Sequence, residues 1–161
     1  MRNTIRTQLL VTALLLGTTT QLALADFSRK VTGTFKSQIV VSTGELASEK
    51  TDKATIDGIK KARLAEVPSH DNGDVKAWTF HYTAFLGKPG AATLKVKFFT
   101  ADKDGNYVAD QSLSGINPKT SVLSGDLTIS EDEGLTRGKA YIMKLVTDSD
   151  VVLAQTPLTM K

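Results

Sequence analysis

Residues 75–86 read VKAWTFHYTAFL, a run in which bulky apolar side chains recur at every second position. Extended backbone sends successive side chains to opposite faces, so Trp78, Phe80 and Tyr82 share one side while Thr79, His81 and Thr83 share the other. Gly87, Lys88, Pro89 and Gly90 supply turn residues immediately afterwards. Beyond them Ala92, Leu94, Val96 and Phe98 alternate with Thr93, Lys95 and Lys97. Two amphipathic strands around a four-residue turn predict a β-hairpin.

The same period continues along the chain. Residues 33–43 (GTFKSQIVVST) suit a first strand after a short mobile leader. Turn clusters at 68–74, 102–106 and 115–119 separate strands, the last leading to 122–129, where Leu127 and Ile129 alternate with Asp126 and Thr128. Two more strands are expected at 139–147 and 151–160. Pro157 puts the final one at a sheet edge, because proline cannot donate to a central ladder. Residues 45–67 are rich in Lys, Glu, Asp and Ala and support two readings. Ile56, Ile59 and Val67 fall near one side of a helix, whereas Asp57-Gly58 is a hairpin signal; the segment is a short helix or an edge excursion. Short strands at this spacing predict one all-β domain over residues 26–161, an antiparallel sandwich or barrel.

Residues 1–25 read as an export signal. Arg2 and Arg6 precede the apolar run 9–16 (LLVTALLL), and Ala23-Leu24-Ala25 has the small-x-small form of a cleavage site. A bilayer core needs roughly 20 apolar residues, so this run is too short to span it, and the cleaved protein is expected not to cross a membrane. Cleavage removes two arginines and no acid, lowering the formal charge from +3 to +1. So nearly neutral a domain lacks the basic stripe that nucleic acid requires. Periplasmic or extracellular residence follows from the signal. With no cysteine anywhere in the chain, stability outside the cytoplasm rests on packing alone, and a thiolate metal site is excluded.

Leu135-Thr136-Arg137-Gly138-Lys139-Ala140-Tyr141 resembles the turn and strand start of a fibronectin type III or related immunoglobulin-like module. In such modules a Leu six residues before a Tyr frames a tyrosine corner, whose hydroxyl returns to backbone in the preceding crossover. The resemblance covers roughly the last third of the chain. It implies an immunoglobulin-like antiparallel β-sandwich and makes Trp78 the counterpart of the buried tryptophan. A sandwich of this kind hosts many unrelated roles, so no activity comes with it.

Catalytic constellations are sparse. His70 lies in Ser69-His70-Asp71, consecutive in one turn, whereas a triad is assembled from separated segments. His81 reads as a surface imidazole on the polar face of its strand. Glu131, Asp132 and Glu133 are consecutive and diverge into solvent rather than converging on one bond. Neither a phosphate-binding glycine loop nor a Gly-x-Ser-x-Gly elbow is present. The expectation is therefore a non-catalytic protein with no cofactor, binding another protein or a cell-surface component through loops or a sheet edge. The alternative is a small-ligand or carbohydrate binder, with Trp78, Phe80, His81 and Tyr82 as the ligand-contacting residues. Asp102, Asp104 and Asn106 have the i, i+2, i+4 spacing of oxygen ligands and form the candidate calcium set. An EF-hand would need Gly and Glu where Tyr107 and Leu113 stand, and an Asp-Gly turn accounts for the same residues. Lys95 and Lys97 form an outward, solubilising strand face.

Overall fold

The computed structural model describes residues 26–88 and 90–161; the expected export signal and Pro89 lie outside the described residues. In chain order the elements are α1 (Arg29–Thr34), β1 (Gln38–Ser42), α2 (Asp52–Ala62), β2 (Glu66–Val67), β3 (His70–Asn72), β4 (Val75–Phe85), β5 (Thr93–Thr100), β6 (Tyr107–Ser114), β7 (Val122–Ser130), β8 (Ala140–Thr147) and β9 (Val152–Met160). A 3-10 turn occupies Glu131–Glu133. The fold is all-β with short helical segments, as the period-two pattern predicts.

The long strand is where expected, but its partner is not. β4 is bordered by β7 along one edge, in register from Ala77↔Ser130 to Phe85↔Val122, and by β1 and β3 along the other. β5 instead lies between β6 and β8. The hairpin expected between residues 75–86 and 92–98 is therefore a crossover between separate parts of the sheet. Alternation dictates which face a side chain takes and leaves the neighbouring strand undetermined. Gly87 lets the crossing chain pass closely. A Cβ there would stand 1.9 Å from Ser37 Oγ, while the Gly87 N–H donates to Leu153 O at 2.9 Å.

The described strands follow the path β7-β4-β1-β9-β8-β5-β6, with β3 beside β4 and β2 beside β9. Most pairs are antiparallel, but β9 runs parallel to both β1 and β2. The sheet curls around one core. Trp78, Phe80 and Tyr82 of β4 and Leu127 and Ile129 of β7 share that core with Leu94, Val96 and Phe98 of β5, and with Tyr141, Met143 and Leu145 of β8. At roughly 25 cal/mol per Å² of apolar surface, this core supplies the main favourable term for a chain without disulfides.

Pro157 does not mark an edge. β9 has β8 on one side and β1 and β2 on the other. Gln155 N–H donates to Ser37 O and Thr159 N–H to Ala65 O. Position 157 faces the same side by strand period, between the last pair with β1 at Gln155 and the first with β2 at Thr159, where no ladder pair forms and a residue without an N–H is tolerated.

The N-terminal part of the domain differs most from expectation. Residues 33 and 34 end α1 rather than opening a strand, and the expected leader is helical. Ser28 caps α1, its Oγ accepting from Val31 N–H at 3.3 Å. Phe27, Val31 and Phe35 recur at helical spacing and are buried. Of the two readings of 45–67, the helix is observed, with Thr51 as N-cap and Lys60 and Lys61 in the last turn, where the helix dipole favours cations. Together these pieces form a second core over the outward side of β1, β4 and β7. Phe85 lies 5.6 Å from Phe27 and 5.2 Å from Phe35, with Val40, Leu46, Ile59 and Val122 around them.

Candidate functional site

Three of the four side chains expected to contact a ligand are core residues. Trp78 is 0%, Phe80 3% and Tyr82 1% exposed, and Trp78 Nε1–H donates to the Lys161 carbonyl at 3.1 Å. An indole without exposure offers no surface for a sugar ring to stack on. His81 is also not the surface imidazole expected. It is 7% exposed, and Nδ1 lies 2.9 Å from Asp126 Oδ1 on β7. It belongs to a polar ladder across β4 and β7, with Thr79–Thr128 at 2.9 Å below it and Thr83–Ser124 at 3.1 Å above. His81 Nε2 is buried without a partner. The strand alternation put His81 on the correct face but could not reveal that this face is partly covered.

His70 is exposed on β3, which forms a short hairpin with the start of β4 around Gly73 (φ 66°), rather than lying in the turn itself. Asp102, Asp104 and Asn106 do lie in the expected turn. Asp102 Oδ1 accepts from Thr100 Oγ1–H at 2.8 Å and from the Asp104 and Gly105 N–H groups at 3.1 Å each. These bonds hold the Asp102 carboxyl below the usual carboxylate range. Asp102 thus acts as the organiser of a β-turn. Glu133 has a comparable local task, its Oε2 accepting from the Ser130 N–H at 2.8 Å. Among the described residues no three or more His, Cys, Asp or Glu side chains converge.

The feature that sequence reasoning missed lies on the outward face of β5, β6, β8 and β9. Tyr107, Val151 and Val152 are the exposed large hydrophobic residues of the described chain, at 55%, 38% and 40%. Tyr107 and Val152 border one shallow depression of about 330 Å³, with Phe99, Val146, Lys97, Lys144 and Asp150 completing its rim. The Phe99 and Tyr107 rings meet edge to face at 6.1 Å, and Lys144 Nζ stands 4.4 Å from the Phe99 centroid. Lys97 Nζ bonds Asp150 Oδ1 at 2.6 Å, holding that carboxyl below its usual range. Lys97 is therefore engaged by Asp150, beyond the solubilising role expected of it. A signal for this face existed: Phe99 follows Lys95 and Lys97 at strand spacing, and Ile142 and Val146 flank Lys144 in the same way. Apolar residues on both faces of a strand indicate more than one buried side.

The mixture suits recognition. Aromatic side chains supply contact area at low entropic cost, and Tyr is enriched among the residues that dominate interface energetics. No transmembrane helix is found among the described residues. No family model matches the chain, and no curated protein matches it. Among solved structures the chain is similar to a β-glucosidase from Kluyveromyces marxianus in complex with glucose, at 10% identity and a TM-score of 0.32, over 60% of this chain and 14% of that one. The selenomethionine-labelled form of the same β-glucosidase gives 9% identity and a TM-score of 0.31 over the same shares. Likeness at this level carries no argument about fold family or activity.

Proposed function

We propose that the chain is an exported, non-catalytic immunoglobulin-like β-sandwich that binds a protein or cell-surface partner. Its strand path supports the sandwich, with β4 and β7 packed over β5, β6, β8 and β9 and a first strand bridging them. Tyr141 at the start of the penultimate strand supports the module type, its hydroxyl accepting from the Thr136 N–H at 2.8 Å. The observation that carries the binding role is the gathering of the exposed Tyr107 and Val152 around one depression, beside Phe99 and Lys144. Loops and sheet edges were the surfaces expected to bind; this outward face, bordered by the loop at Asp150 and by β6, is the surface favoured.

The small-ligand alternative passes to the same place. Tyr107 is the exposed aromatic among the described residues, so a sugar ring has a platform there and not at Trp78. Affinity capture with purified protein separates the readings. A saturable protein partner retained by the native chain and lost in Tyr107→Ala or Lys144→Glu supports the protein-binding role. A small molecule co-purifying with the native chain, and lost in the same variants, supports the ligand-binding alternative. Capture unchanged by both substitutions rules out this face.

A further inference from the structure

Two lysines stand directly opposite each other at the centre of the open face. Lys97 on β5 and Lys144 on β8 are register partners, and side chains at such positions share one side of the sheet. Like charges so placed repel, and only one of the two has a carboxylate to offset it, Lys97 being bonded to Asp150 Oδ1 at 2.6 Å. Lys95, the next lysine along β5, reaches Asp148 at 3.9 Å. No carboxylate among the described residues pairs with Lys144. Asp110, a further acid of this face, lies two strands away on β6, roughly 10 Å by strand spacing, and accepts from the Tyr107 hydroxyl.

The position of Lys144 sharpens the imbalance. It is half-buried on a strand with neighbours on both sides, β5 and β9, and its partner on β9 is the neutral Gln155. Its Nζ stands 4.4 Å from the Phe99 centroid, and Tyr107, Val146 and Val152 continue the apolar margin. The ring face offsets part of the charge, whereas a carboxylate would add a charge-assisted hydrogen bond that nothing on the face now supplies.

These features select the occupant. It brings a carboxylate to Lys144 and apolar groups to Tyr107 and Val152. A polyanion, whether nucleic acid or an anionic membrane, would also meet Asp110, Asp148 and Asp150, and a lone lysine lacks the arginine fork or helix N-terminus that suits phosphate. Val151, 38% exposed in the adjoining turn, carries the apolar surface past the depression, which favours an extended polypeptide over a free acid.

Resting on the binding role of this face, we propose that its occupant is a partner's polypeptide segment in which one Glu or Asp is flanked by apolar side chains, its carboxylate pairing with Lys144. Purified ¹⁵N-labelled protein titrated with the capped peptides Phe-Glu-Val, Phe-Gln-Val and Phe-Lys-Val tests it through amide chemical shifts. The expected result is saturable shifts at Phe99, Tyr107 and Lys144 with the Glu peptide, an affinity about fivefold lower with the Gln peptide, and no saturation with the Lys peptide. Lys144→Gln should erase the difference between the Glu and Gln peptides while keeping a native-like spectrum, and Lys144→Arg should retain it. Equal affinities for the three peptides overturn the carboxylate assignment and leave the face as a binding surface. A Glu preference that persists in Lys144→Gln overturns the role of Lys144. Shifts from none of the peptides, phenylbutyrate binding as tightly as the Glu peptide, or saturable binding to phosphatidylglycerol vesicles alone overturns the polypeptide occupant. Capture of a partner that Tyr107→Ala loses decides the binding role itself, so the two readings fail separately.

Discussion

The two outward faces of the curled sheet are both apolar in part, and the chain treats them differently. Over β1, β4 and β7 it folds its own cover: Phe27, Val31 and Phe35 from the α1 region and Ile59 from α2 seal Val40, Phe85 and Val122. Over β5, β6, β8 and β9 no such cover exists among the described residues, and Phe99, Tyr107 and Val152 surround an open depression. An apolar group that the fold seals contributes to stability; one left open beside lysines is available to a partner. This contrast separates the residues that hold the protein together from those argued to give it a role.

Substitutions on the two faces should therefore fail in different ways. The largest effect is expected from Phe85→Ala, which removes the ring seated between Phe27 and Phe35 and should cost about 3–5 kcal/mol in urea unfolding. Equal stability in that variant would break the contrast from its covered side. Next, Tyr141→Phe deprives the Thr136 N–H of its acceptor and should cost about 1–2 kcal/mol by the same measurement, which sharpens the account of how β8 is anchored. Ser28→Ala removes the α1 cap and a 2.6 Å bond to Asp52 Oδ1, for a loss of about 1 kcal/mol. By contrast, Tyr107→Ala on the open face should change stability by less than about 0.5 kcal/mol.

Alkaline pH gives a further, smaller test. Tyr82 ionises near 12 in the folded protein and near 10 when unfolded, so the folded state keeps a proton that the unfolded state loses. That contribution is fully present below pH 10 and is lost as pH rises towards 12. Unfolding measured across this window should show a decline that Tyr82→Phe makes shallower; identical profiles would contradict the burial of the phenol.

The strand faces were legible in the sequence, and the strand neighbours were not. Alternation alone placed Trp78, Phe80 and Tyr82 together, but the turn after Phe85 looked like a hairpin because turn residues are the same whether a chain reverses or crosses over. Pro157 misled for a related reason, since the rule against interior proline assumes a continuous neighbouring strand, and here the neighbour changes from β1 to β2 at that residue. At the N-terminus, the β-branched run that follows Phe35 masked the helical spacing of Phe27, Val31 and Phe35. Lys95 and Lys97 identified an outward face, yet Phe99 and Tyr107 flank a turn and meet only through the β5–β6 pairing, which no local pattern encodes.

Site-specific photocrosslinking tests the contrast between the faces most directly. A benzophenone side chain placed at position 107 on the open face, and separately at exposed position 53 on α2, reports what each surface touches in the protein's own cells. The account predicts a discrete, saturable adduct from position 107, abolished by Lys144→Glu, and none from position 53. The same adduct from both positions, or from position 53 alone, would contradict it.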